Sequence, residues 1–171
     1  AVAAVTQPGY LSGRVTWAAA GTPIAGAIVV ATERDGAGGA SAVTAADGAY
    51  WMALTPGTYD LAVSAFGYEP ATASLITVTA GMTTVQDFAL TALPFGILRG
   101  RVTDAATGQP LTATVTVLGT PLEAMTHSYQ FILPAGHYVL RARHLGHRVV
   151  TATVAITVGQ YTVADLALPP A

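Results

Sequence analysis

All four histidines of the chain, His127, His137, His144 and His147, fall in its last third. The spacing His144-x-x-His147 brackets Gly146 and can bring two imidazoles to one metal ion, since zinc accepts neutral ring nitrogens. No carboxylate stands beside the pair in the sequence. His137 and His144 are an odd number of residues apart, so a strand sends them to opposite faces. The histidines therefore read as solvated or packing residues, and no metal site is assigned. A hydrolytic triad needs a nucleophile, a base and an orienting acid within hydrogen-bond reach. Here the serines and aspartates are scattered and no G-x-S-x-G elbow occurs, so no catalytic residue and no cofactor is expected. Glu33, Asp35 and Asp47 lie in "ATERDGAGGASAVTAADG" but lack the alternating oxygen-ligand spacing that wraps calcium. That stretch reads as a glycine-rich hairpin.

Composition narrows the classes further. The 171 residues are 52% hydrophobic and 9% charged, more apolar than an ordinary soluble domain, so much surface must be buried, in part against neighbours. Apolar runs such as Gly26–Ala31 have strand length and fall well short of a spanning helix, so no membrane span is expected. The net charge is -2 and no basic run exists, which leaves nucleic-acid binding without a footing. Cysteine, lysine and asparagine are absent. Disulfides, thiolate metal sites, Schiff-base lysines, lysine–asparagine isopeptide bonds and N-linked glycans are thereby excluded. The opening "AVAAV" has the small residues that remain after secretory cleavage, so an extracellular or cell-surface location is expected.

The chain contains one unit twice. Gly9-Tyr10-Leu11-Ser12-Gly13-Arg14-Val15-Thr16 returns as Gly96-Ile97-Leu98-Arg99-Gly100-Arg101-Val102-Thr103, an offset of 87 that falls to 79 at Gly57 and Gly136. "PGTYDLAVSAFGY" returns as "AGHYVLRARHLGH". The boundaries expected are an N-terminal extension over residues 1–8, a first repeat over 9–92 and a second over 96–171. The connector Thr91–Phe95 is short and apolar for a free linker. Short alternating runs rich in Val, Thr, Tyr and Leu, punctuated by Gly, Pro and Asp, make both repeats all-β. Period-two alternation assigns Tyr59, Leu61, Val63 and Ala65 to the core of the first repeat and Tyr138, Leu140, Ala142 and His144 to that of the second.

The order G-x-V-T, G-x-P-[IL], A-x-D-G-x-Y, P-G-T-Y-x-L-x-V and G-Y resembles the carboxypeptidase regulatory-like domain. Asp47-Gly48-Ala49-Tyr50 and Gly67-Tyr68 carry it in the first repeat. The second repeat departs at Thr126-His127-Ser128-Tyr129 and at His147, which stands in place of the tyrosine. The resemblance implies two tandem Ig-like or prealbumin-like sandwiches of seven strands each, and a non-catalytic role on secreted or surface proteins.

Two kinds of surface remain to be explained. Arg99, Arg101, Arg141 and Arg143 occupy outward positions of the second repeat and are expected to form a basic patch. Residues 1–95 carry two arginines against six acids, net -4, and residues 96–171 carry five against three, net +2. Opposite charge at the two ends suits head-to-tail self-association. The extension, through Val2 and Val5, can lie along an open sheet edge as a donated strand. Threonines and serines at outward positions, among them Thr72, Ser74, Thr151 and Thr153, are candidate O-linked glycan acceptors. The expected function is thus a subunit of a surface filament. The alternative is a tandem accessory module of a larger secreted enzyme, for which exposed aromatics among Trp17, Trp51 and Tyr161 would supply a carbohydrate platform.

Overall fold

The computed structural model describes residues 6–171 and divides into two units, the first ending at Ala92 and the second running from Leu93 to Ala171. Among the described residues every regular element is a β-strand. The first unit contains β1 (Gly9–Trp17), β2 (Ile28–Glu33), β3 (Gly39–Val43), β4 (Ala49–Leu54), β5 (Gly57–Ser64), β6 (Ala71–Val78), β7 (Thr83–Val85) and β8 (Phe88–Leu90). The second contains β9 (Phe95–Asp104), β10 (Ala113–Val117), β11 (Glu123–Thr126), β12 (Ser128–Pro134), β13 (Gly136–Arg143), β14 (Val150–Ile156), β15 (Tyr161–Val163) and β16 (Leu166–Leu168).

Each unit packs two sheets over one apolar core. In the first, β3-β2-β5-β6 faces a sheet in which β1 pairs antiparallel with β4 and parallel with both β7 and β8. In the second, β11-β10-β13-β14 faces the sheet of β12, β9, β15 and β16. Alternation explains the filling. Tyr50, Met52 and Leu54 point inward from β4 while Trp51 points out, and Val29 and Ala31 do the same on β2 between Ile28 and Val30. The glycine-rich stretch closes the β2–β3 hairpin; its counterpart β10–β11 in the second unit has a turn of the same length between shorter strands.

The β7 and β8 segments are halves of one edge strand, which resolves eight segments into the seven strands of the expected sandwich. At the break, the amide of Gln86 still donates to Ser12 O at 2.9 Å, but the next rung is made by a side chain: Arg14 N donates to Asp87 Oδ1 at 2.7 Å. The carbonyl of Gln86 instead accepts the Tyr50 hydroxyl at 2.5 Å. The second unit repeats this arrangement. Ala164 N donates to Arg99 O at 2.9 Å, Arg101 N to Asp165 Oδ1 at 2.8 Å, and the Tyr129 hydroxyl to Ala164 O. A Cβ at Gly13 or Gly100 would overlap that same carbonyl, which is why both positions are glycine. Burial, followed by the charge of the neighbouring aspartate, pushes both phenols up to about 12.

The expected inward face of β5 holds: Tyr59, Leu61 and Val63 are buried, and Tyr59 Oη donates to Thr55 O at 2.8 Å. On β13 it holds only in part. Leu140 and Ala142 are buried and Tyr138 is half-buried, but His144 lies beyond the strand end and is exposed. The strand ends at Arg143, so the alternation that placed His144 in the core no longer applies to it. Ala65, its counterpart, also follows its strand and is half-buried.

Truncation of Tyr59 to alanine is expected to destabilise the first unit by about 3–5 kcal/mol, through the cavity left by a fully buried ring. Tyr138→Ala should cost the second unit distinctly less. Chemical denaturation reads both, and equal losses would contradict the difference in burial.

The raised phenols also give a pH dependence. A tyrosine whose folded pKa lies near 12 instead of 10 stabilises the fold as the neutral phenol, fully so below pH 10 and progressively less as pH rises through 12. Tyr50→Phe and Tyr129→Phe should each flatten part of the stability decline between pH 10 and 12. At neutral pH each should cost about 1–2 kcal/mol for the carbonyl left unpaired. Denaturation midpoints across that range are the measurement, and an undiminished decline in both variants would show that these phenols do not titrate with folding.

Candidate functional site

The outward arginines of the second unit do not make one patch. Arg99 and Arg101 lie on β9 and face out from one sheet, whereas Arg141 and Arg143 lie on β13 in the opposing sheet. Their side chains leave the sandwich on its two opposite faces, because the inner faces of both sheets are occupied by the core. Strand assignment alone carries no information on which sheet a strand joins, which is why the sequence merged the two pairs.

Arg99 sits across from Gln130 on one side and Val163 on the other, with its guanidinium carbon 4.7 Å from the centroid of the exposed Tyr161 ring. Ile132, Ile97 and Tyr161 form the next row outward. Beside them a shallow depression of about 470 Å³ lies over the strand break, lined by Arg99, Arg101, Tyr129, Gln130 and Asp165. The first unit has a depression of about 380 Å³ at the same place, lined by Ser12, Arg14, Tyr50, Val85 and Asp87. On that face Trp51 is 59% exposed and stacks on Tyr10, with centroids 5.5 Å apart and ring planes 23° apart. Tyr161 is likewise exposed, and Trp17 packs against the core.

The other outer faces differ in character. On the second unit, cross-strand rows run Met125–Thr114–Arg143 and Glu123–Thr116–Arg141–Thr151, with Thr116 Oγ1 donating to Glu123 at 2.7 Å. On the first, the corresponding rows are Val43–Ile28–Ser64 and Ser41–Val30–Ala62–Thr72, which carry no charge. The acids of the first repeat do not form a free acidic face. Asp60 takes Arg34 Nε at 3.1 and 2.9 Å, and this hydrogen bond is the main reason its carboxyl lies below the ordinary range. Asp87 completes the broken strand, and Asp47 receives the amide of Ala49 and faces Arg14 at 3.8 Å. Val2 and Val5 lie outside the described residues.

The fold brings to the histidine pair the carboxylate that the sequence did not place beside it. Asp104, at the end of β9, stands 3.1 Å from His147 Nε2, and His147 Nδ1 stands 3.1 Å from His144 Nδ1. Asp104 Oδ1 also accepts the amides of Ala106 and Thr107 in the following turn. The hydrogen bond from His147, then those amides, hold the Asp104 carboxyl below its usual range. The two residues are 43 positions apart, and the C-terminal segment joins them, pairing with Asp104 at Leu168 and with His147 at Pro170. His127 and His137 are at other places on the unit and are not part of this group.

Comparison with known proteins gives the fold a family. The carboxypeptidase regulatory-like domain profile matches twice, over residues 10–91 and 97–169. No curated protein matches in sequence at a significant level. Among solved structures, the shaft pilin SpaA from Lactobacillus rhamnosus GG is similar at 12% identity and a TM-score of 0.52, covering 98% of each chain. The Bacillus anthracis TIE protein is similar at 18% identity and a TM-score of 0.47; the match covers 96% of this chain and about a third of that one, 34%. The likeness to SpaA bears on the fold alone.

Proposed function

The chain belongs to the carboxypeptidase regulatory-like domain family, and from that premise we propose that it is a non-catalytic, extracellular structural subunit that self-associates head to tail into a surface filament. The observation that carries this reading is the uncharged apolar patch on the outer face of the first unit, beyond the Arg34–Asp60 pair. Antiparallel sheets normally turn a polar face to water. Here Ile28 is 47% exposed, Val30 41% and Val43 64%, in register with Ala62 and small hydroxyl residues. An exposed apolar sheet face of this kind is suited to burial against a second copy. The edge strands β3 and β6 flank it and offer unpaired backbone groups. Residues 1–6, with Val2 and Val5, supply the linking strand in this reading. No helix among the described residues is long and apolar enough to cross a membrane.

Val30→Asp and Val43→Asp introduce charge at exposed positions and should leave the fold intact while abolishing assembly. Sedimentation velocity and electron microscopy of the purified chain provide the readout. Deleting residues 1–6 should give folded monomers. Wild-type chains that stay monomeric at high concentration, or filaments indifferent to all of these changes, would overturn the proposal.

A second reading, a tandem accessory module that binds carbohydrate, rests on the stacked and exposed Tyr10–Trp51 pair. Sugar rings pack on such faces. Titration of soluble polysaccharides should then quench Trp51 emission, and Trp51→Ala should remove binding; emission unchanged by every polysaccharide tried would end this reading.

A further inference from the structure

The corner of the second unit where β9 ends is built differently from its counterpart. In the first unit the three equivalent positions are Trp17, Ala65 and Tyr68, all packed against the apolar core. In the second they are Asp104, His144 and His147, joined by hydrogen bonds. The fold therefore closes this corner without a carboxylate or an imidazole, and the replacement of three packing side chains by a connected Asp–His–His chain is not required for the sandwich.

The connection has a direction. Asp104 is acceptor-only, so His147 donates Nε2–H to it, and in the neutral ring this leaves the Nδ1 lone pair unprotonated. That lone pair faces His144 Nδ1 at 3.1 Å, with the ring planes crossing at 78°. Two nitrogens bound to one tetrahedral zinc at about 2.0–2.1 Å each stand about 3.3 Å apart, nearly the separation found here. A carboxylate that holds the far N–H of an imidazole is the usual support behind a metal-binding histidine, since it fixes the tautomer and the ring orientation. The Asp104 and His147 side chains are 22% and 13% exposed, so this support is shielded, while His144 is open to solvent.

We propose that His144 and His147 bind a divalent transition-metal ion of the zinc type through their Nδ1 atoms, with Asp104 as the positioning residue behind His147. In the metal-free chain His144 donates its Nδ1–H to His147 Nδ1. The ion takes the place of that proton, which moves through solvent to His144 Nε2 so that His144 binds as the neutral Nε2–H imidazole, and the remaining coordination positions are filled by water. Among the described residues no group of three His, Asp or Glu side chains is placed to hold a metal together, so the site has two protein ligands, and Asp104 acts through His147 without touching the ion.

The test is calorimetric titration of the untagged chain with zinc chloride, alongside long-range nitrogen–proton correlation spectra of the histidine rings. One ion per chain is expected, with zinc-induced shifts confined to the rings of His144 and His147. His144→Ala, at an exposed position that leaves the fold undisturbed, should abolish binding. His147→Tyr, which restores the residue type found at Tyr68, should do the same. Asp104→Asn keeps the oxygen that caps the following turn, and should lower zinc affinity by about 10–100-fold while weakening the preference of His147 for the Nε2–H tautomer. His127→Ala and His137→Ala should bind as the wild type does. Absence of zinc binding at millimolar concentration, or binding that survives His144→Ala, would overturn the site and leave a hydrogen bond only. Wild-type affinity and tautomer in Asp104→Asn would overturn the role given to Asp104.

Discussion

Both units depend on the parallel pairing of their first strand with their last. β1 meets β7 and β8 across some seventy residues of chain, and β9 meets β15 and β16 in the same way. This pairing closes the sheet, covers the core from that side and brings the two ends of each repeat together. It is also imperfect in the same place twice. The last strand breaks where its carbonyl turns towards a buried tyrosine, and an aspartate replaces the missing backbone rung. The glycine on the first strand is what allows the approach, so Gly13, Tyr50 and Asp87, and again Gly100, Tyr129 and Asp165, stand or fall together.

Such closure is built from contacts distant in sequence, which makes it slow to form and leaves edges open until it is complete. The composition fits that constraint. With so few charges, the units have little to oppose association through an exposed sheet face, and the first unit presents one made of Ile28, Val30 and Val43. The second unit shows on the equivalent face two arginines and a row of threonines. Duplication kept the inward residues, which are held by packing, and released the outward ones, which are not. The same release acted at the ends of β1 and β9, where one copy retains an apolar corner around Trp17 and the other acquired Asp104, His144 and His147.

Much of this was legible in the sequence. The all-β class and the inward positions Tyr59, Leu61, Val63, Leu140 and Ala142 follow from period-two alternation and turn residues, both of which are local properties of the chain, and the repeat and the family resemblance are carried by short motifs that recur in order. What failed was whatever depended on where a strand ends or which sheet it joins. Alternation carried one residue past Arg143 sends His144 inward, and nothing local distinguishes β9's sheet from β13's, so the sequence presents the four arginines as one patch. The carboxylate beside His147 was missed for the same reason, since Asp104 lies in another strand. The sequence by itself determined which residues must be hidden from water, because hydrophobic patterning is written at spacings of two. Only the tertiary structure decided which exposed residues stand together, because that depends on the pairing of strands far apart in the chain.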